Sequence, residues 1–486
     1  MKRNLLLLVI AVLSLATLSA QDITEAVYDS YETYKESSLN NRRIKHKDLQ
    51  PLINSFKGNP KFIVQQVGES IEGRDLNLIT IGSGKTNIFL WSQMHGNEPT
   101  ATQAIFDLLN FFDSNDFAAE KKAILDNLTL HFLPMLNPDG AEVFQRRNAL
   151  GIDINRDALR LQSPEGRTLK RVRDSLDAAF GFNLHDQSTY YNAERTEKPA
   201  SISYLATAYN YEKDINEVRA NAMKVIVFMN NIIQNYASGQ VGRYSDDFEP
   251  RAFGDNIAKW GTSLILIESG GYTNDVEKQE IRKLNYVSIL SALYTIAKKS
   301  YVDISIEDYE KIPKNDRNLF DLKIENVSYE INGKDYILDL GINRQEIDFE
   351  GHNQFYYKST IVDQGDLSTY YGYETFDASG YKIVAPKMKS KKEVIFKSGA
   401  IEDLHKSGVA YVKLPLPKEG FSSNKPIHMV DTKFQLPDFR LSPGQNPTFF
   451  LEKEGELTHV IINGFVLDLS LSLANQKLGN ALIYRN

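Results

Sequence analysis

Between residues 61 and 299, short apolar runs alternate with longer segments of helical period, and this alternation restricts the possible folds more than any other feature of the sequence. Strands are expected at 62–67, 76–81, 87–92 and 128–133, with the end of another at 183–184 and a further short run at 263–267. Helices are expected at 99–112, 165–179, 215–233 and 276–298. Such an order gives an α/β domain, here assigned to residues 55–300. The run 263–267 ends at Glu268 and Gly270-Gly271, and strand ends of this kind are where open α/β sheets carry function.

After Ser300 the texture changes. Stretches at 321–329, 334–340, 355–362, 381–385, 392–396, 408–414 and 458–468 look like strands separated by Gly, Pro, Asn and Asp turns. They indicate a mostly β accessory domain over 318–486, joined by a linker at 301–317 where Ile312-Pro313 and several charges break the helical pattern.

At the other end, Lys2 and Arg3 precede an apolar run from Leu5 to Leu18 followed by Ser19 and Ala20, the pattern of a signal peptide over 1–20. The 14-residue run is short of the ~20 residues a membrane span needs. The expectation is an exported protein, periplasmic or extracellular, with no membrane span after signal removal and a helical segment at 21–54. A net charge of −7 without long like-charge blocks argues against a nucleic-acid partner held through phosphates. The sequence has no cysteine, so any bound metal must sit on His, Asp or Glu.

Candidate ligands occur at strand ends. His95-Gly96-Asn97-Glu98 follows the strand 87–92, and a His and a Glu three residues apart there can converge on one ion. Asn137-Pro138-Asp139-Gly140 closes the next strand, and Arg146-Arg147-Asn148 leads through Gly151-Ile152-Asp153-Ile154 to Asn155-Arg156. Phe182-Asn183-Leu184-His185-Asp186 sets a second His at a strand end, and Ile265-Leu266-Ile267-Glu268 adds a late carboxylate.

This ordered set resembles the zinc carboxypeptidase family that includes carboxypeptidases A, B and E, over roughly residues 55–299. The resemblance implies a mixed central sheet flanked by helices and one Zn²⁺ held by His95, Glu98 and His185, a His₂Glu set with the fourth position open. By the same correspondence Glu268 is the general base and Arg146 stabilises the oxyanion, while Asn155 and Arg156 grip the terminal carboxylate of a peptide or protein substrate. Asp186 stands as an acceptor behind the metal ligands or as a solvated strand-end acid, Arg147 as a surface charge, and Arg74 as a structural or rim residue.

The match is incomplete in places. Asn97 is what the carboxypeptidase E branch carries where carboxypeptidase A has arginine. The family's mobile tyrosine has its best candidate in Tyr244, 24 residues before Glu268, with a packing role as the alternative. In Phe253-Gly254-Asp255-Asn256, Asp255 is either a partner for a basic terminal side chain or a helix N-cap. Runs near Ala385-Pro386, Leu441-Ser442-Pro443-Gly444 and Asn463-Gly464 resemble in part the small β-sandwich of amidohydrolases, without that family's His-x-His metal pattern, which implies a non-catalytic β module. The functions to weigh are therefore a secreted metallocarboxypeptidase, a cell-wall peptide amide hydrolase using the same zinc site, and a peptide-binding protein that has lost catalysis.

Overall fold

The apolar runs before residue 270 pair edge to edge. The computed structural model describes residues 25–390, 398–416 and 423–476, and the chain divides into two units, Met1–Arg317 and Asn318–Asn486. The expected signal peptide and the strand expected at 392–396 lie outside the described residues.

In the first unit the strands are β1 (Ile63–Glu69), β2 (Asp75–Gly82), β3 (Thr86–Ser92), β4 (Leu128–Leu133), β5 (Phe180–Asp186), β6 (Asn192–Ala193), β7 (Ile202–Ala206), β8 (Val241–Arg243), β9 (Ser263–Ser269) and β10 (Asn315–Asp316). Eight of them form one sheet in the order β1-β2-β4-β3-β5-β9-β7-β8. β4, β3, β5 and β9 are mutually parallel, and the antiparallel pairings β1/β2, β2/β4 and β7/β9 flank them. This is the mixed α/β architecture that the alternation and the resemblance imply.

Successive side chains of a strand point to opposite faces, and both faces of this sheet are covered. Ile88 and Leu90 of β3 enter a core shared with the helices Thr100–Asp113, Glu217–Ile233 and Gln279–Lys298. Phe89 and Trp91 enter a second core with the helices Pro164–Leu176 and Phe253–Lys259. The first core also takes up Tyr31, Tyr34, Leu49, Ile53 and Phe56 from the N-terminal helices Tyr31–Tyr34 and His46–Lys57. Beneath that segment, the buried guanidinium of Arg282 donates to Asp107 from Nε (2.7 Å) and Nη2 (2.5 Å), and to the carbonyl oxygens of Glu36 and Leu39.

Helix limits follow local chemistry. Asn216 caps Glu217–Ile233 by accepting from the Arg219 N–H, and the helix expected at 165–179 stops at Leu176 because Asp177 turns left-handed, φ 43°.

The stretch 301–317, expected as a linker, packs instead as part of the first unit. Its 3₁₀ turn Ile306–Lys311 buries Tyr309, whose hydroxyl accepts the Ala206 N–H at 3.0 Å, and β10 pairs antiparallel with β6. Pro313 ends helical structure but leaves its carbonyl free to accept the Arg243 N–H at 2.7 Å.

The second unit carries β11 (Leu319–Ile331), β12 (Lys334–Asp348), β13 (Phe355–Gly365), β14 (Tyr371–Asp377), β15 (Lys382–Val384), β16 (Lys387–Ser390), β17 (Val409–Lys413), β18 (His428–Val430), β19 (Phe449–Lys453), β20 (Glu456–Ile462) and β21 (Phe465–Asp468). One sheet runs β13-β12-β11-β15-β19-β20-β21 with β14 paired to β11, and β16-β17-β18 form a small parallel sheet beside the helix Ser398–Lys406. The single strand expected at 458–468 is a hairpin, because Asn463 and Gly464 both take positive φ (48° and 75°) and close a two-residue turn.

Candidate active site

The His95 segment is built by close backbone packing. After β3, Gln93 takes φ 52° and donates from Nε2 to the Gly96 carbonyl at 2.9 Å. Gly96 lies so near the helix Pro138–Glu142 that a Cβ there would fall 2.0 Å from the carbonyl carbon of Gly140. Glycine is therefore obligatory at residue 96. Asn137 caps the short helix, its Oδ1 accepting the Gly140 N–H at 2.9 Å, and its Nδ2 donates to the Arg146 carbonyl at 3.2 Å. The motif at 137–140 thus supports the ligand turn on one side and fixes the arginine loop on the other. Asn148 closes that loop by accepting the Ile152 N–H at 2.9 Å, which returns the chain to Asp153.

His95, Glu98 and His185 converge, with one candidate ligand atom from each lying within 4.8 Å of the others, and all three side chains are buried. Glu98 Oε1 is 2.8 Å from His95 Nδ1, Oε2 is 2.7 Å from His185 Nδ1, and the two Nδ1 atoms are 3.2 Å apart. Behind His95, Nε2 lies 3.2 Å from Asp153 Oδ1, and Arg146 Nε donates to Asp153 Oδ2 at 3.0 Å. Two imidazole nitrogens and one carboxylate directed at one buried point form a His₂Glu donor set, which suits zinc, and an acceptor on the far nitrogen of His95 orients that ring. The surrounding imidazoles hold Glu98 well below the usual carboxylate range, and His95 with Arg146 does the same for Asp153.

Glu268 stands beside His185, the two being register partners across β5 and β9. Burial pushes its carboxyl well above the ordinary value, and the charges of Glu98 and Asp186 push it further. Asp186 accepts from Thr100 Oγ1 at 2.6 Å and from the buried Lys278 Nζ at 3.0 Å, so it faces a cation and a hydroxyl and does not reach either histidine ring.

One cleft of about 440 Å³ is lined by His95, Glu98, Arg146, Asn155, Arg156, His185, Tyr244, Asp255 and Glu268, among others. Asn155 Oδ1 is held by the Phe253 N–H at 2.9 Å, which leaves its amide N–H groups to donate. Arg156 Nε is 3.3 Å from Glu249 Oε2. Asp255 is not an N-cap: Ala252 holds that place, and Asp255 sits one turn in, accepting the Glu249 N–H at 3.0 Å. Burial raises its carboxyl to about 6. Tyr244 packs edge-on against Tyr191, and burial with the nearby Glu268 charge keeps its hydroxyl protonated.

Other singled-out residues stay outside the cleft. Arg74 pairs with Asp139 at 2.6 Å and secures the helix Pro138–Glu142, Arg147 donates to the Gly151 carbonyl, and Asn97 is exposed. Sequence reasoning overlooked Asp153. Its Oδ1 also accepts the Asn155 N–H at 3.0 Å, so it reads as an ordinary turn acid, and the only signal was its place between Arg146 and Asn155-Arg156.

Residues 53–160 match the family described as zinc carboxypeptidase. A probable carboxypeptidase 2 of Trichophyton verrucosum is 32% identical over 136 residues, 28% of this chain and 25% of the relative. A carboxypeptidase E of Caenorhabditis elegans is 31% identical over 115 residues, 19% of this chain and 24% of the relative. The chain thus spans about a quarter of the length of these curated relatives. Among solved structures, a metallo-carboxypeptidase from Burkholderia cenocepacia superposes with a TM-score of 0.43 at 17% identity, covering 52% of this chain and 69% of that one. The matched segment 53–160, which is similar to the zinc carboxypeptidases, carries His95, Glu98, Arg146, Asn155 and Arg156.

Proposed function

We propose that the protein is an exported metallocarboxypeptidase that binds one zinc ion through His95, Glu98 and His185 and removes the C-terminal residue of peptides. The observation that carries the reading is that this donor set shares one cleft with Glu268, Arg146 and the Asn155-Arg156 pair. Bound zinc would lower the pKa of a water molecule toward ~7 and polarise the scissile carbonyl.

The chain's own groups do the rest. Glu268, beside His185 in the same cleft, takes the proton of the attacking water and returns it to the leaving nitrogen. Arg146, held by Asp153, donates to the oxyanion. Arg156 and the Asn155 amide bind the terminal carboxylate, which makes the enzyme an exopeptidase. Asp255, half-protonated near pH 6, offers its charge to a lysine or arginine side chain at the C-terminus. The basic, apolar start of the sequence supports export to a periplasmic or extracellular site.

The test is Glu268→Gln. Turnover should fall by ~10²- to 10⁴-fold while zinc content stays at wild-type level. Activity within a few-fold of wild type would remove Glu268 from the reaction.

A further inference from the structure

We propose that Arg317 is a substrate-recognition residue, selecting peptides that carry a carboxylate upstream of the scissile bond. The inference rests on the reading of Asn155 and Arg156 as the terminal-carboxylate grip. Among the described residues, three arginines line the cleft. Arg146 is held by Asp153 at 3.0 Å and Arg156 by Glu249 at 3.3 Å. Arg317 is exposed and has no carboxylate partner among the described residues.

Its backbone is placed firmly. The strap 312–317 is bonded to β6, β7, β8 and the chain just after β5. Asn315 and Asp316 pair with Ala193 and Asn192. Asn315 Nδ2 donates to Gln187 Oε1 at 2.8 Å, two residues beyond His185, and Asn315 Oδ1 accepts from Ser203 Oγ at 2.9 Å. The Arg243 N–H, next to Tyr244, donates to the Pro313 carbonyl at 2.7 Å, and the Glu194 N–H to the Lys314 carbonyl at 2.9 Å. The approach is close enough that a Cβ on Gly242 would lie 2.0 Å from Asn315 Oδ1. An unpaired guanidinium is thereby presented to the cleft from a rigid support.

The two recognition cations come from different walls. Arg156 belongs to the turn tied to the helix Phe253–Lys259, whereas Arg317 belongs to the strap tied to Gln187 and Ser203. With the terminal carboxylate on Arg156, a second anionic group has Arg317 as its partner, and a guanidinium fork matches a carboxylate. The substrate class is therefore a peptide with an acidic residue shortly before a C-terminal basic residue.

The test compares N-acetylated pentapeptides ending in lysine that carry either Glu or Gln at one of the two positions preceding it. Dissociation constants are measured by calorimetry on the zinc-loaded Glu268→Gln protein, with and without Arg317→Gln, at low and at high salt. Lysine release from the same peptides is followed with the wild type. The Glu peptide should bind about threefold to tenfold more tightly, with the preference shrinking at high salt. In Arg317→Gln the ratio should fall to about one, and Arg317→Glu should invert it. Equal binding of the two peptides, or a preference that survives Arg317→Gln, would overturn the role of Arg317 while lysine release stands. Absence of both binding and release for every peptide would overturn the carboxypeptidase reading and this inference together.

Discussion

Asp153→Asn separates the carboxylate behind the zinc site from the ligands themselves. Asp153 Oδ1 faces His95 Nε2 at 3.2 Å, and Oδ2 accepts from Arg146 Nε at 3.0 Å. An asparagine has one acceptor oxygen and one NH₂ group. If the oxygen faces His95, the NH₂ opposes the Arg146 N–H; if the amide flips, it opposes the His95 N–H. Either way one donor meets a donor and the negative charge is lost. Removing an outer acceptor of a zinc-bound histidine weakens metal binding by about 10- to 100-fold. At a fixed zinc concentration well above Kd, the same factor takes ~1.4–2.7 kcal/mol from the stabilisation that zinc confers on the fold. The assay is zinc competition against a chelator of known affinity, with thermal melts of apo and zinc-loaded protein alongside. A weaker Kd and a smaller zinc-induced rise in Tm are expected, with kcat also reduced through Arg146. A Kd within twofold of wild type would refute the assignment of Asp153.

Three further outcomes follow from buried charges. Burial lifts Asp255 from 3.8 to about 6, so the folded state binds the proton more tightly and stability declines as pH rises from 4 to 6; Asp255→Asn should then be more stable at pH 8 by up to ~3 kcal/mol in denaturant melts, while losing any preference for basic C-terminal residues. Desolvation depresses His131 in the first unit and His405 in the second from 6.5 to about 4, so stability is complete above pH 6.5 and is lost as pH falls toward 4; replacing either with Gln should flatten that fall by up to ~3 kcal/mol in melts across this window. Asp107→Ala should cost ~3–5 kcal/mol by leaving the buried Arg282 guanidinium without its carboxylate, and limited proteolysis should then release the N-terminal segment that carries Tyr31, Leu49 and Phe56; a variant as stable and protease-resistant as wild type would contradict that anchoring role.

How much of this was legible in the sequence depended on periodicity and length. The long helices and the strands β1 to β4 were visible because each repeats its pattern over several residues, whereas of β5 only the end at 183–184 was. β7 and β8 were not: β7 has five residues, all buried, and so shows no alternation, and β8 has only three. The strap 301–317 read as a linker because proline and charges break helical pattern, yet its pairing with β6 depends on a partner more than a hundred residues earlier. At the site, His95, Glu98, His185 and Glu268 stand at strand ends where chemistry is expected, and the structure brings them together. Asp153 and Arg317 could not be found that way, since an acid in a turn and an arginine after a charged stretch look like ordinary surface until the fold sets Asp153 behind His95 and Arg317 at the cleft.

On the proposed function, the cleft reads a free terminal carboxylate beside a zinc-binding triad. This is tested most directly by incubating the zinc-loaded protein with a mixed peptide library, each peptide present with a free and an amidated C-terminus, and following the products by mass spectrometry. Loss of single residues from the free forms only is expected, fastest for peptides ending in lysine or arginine. Internal cuts, or equal trimming of the amidated forms, would contradict it.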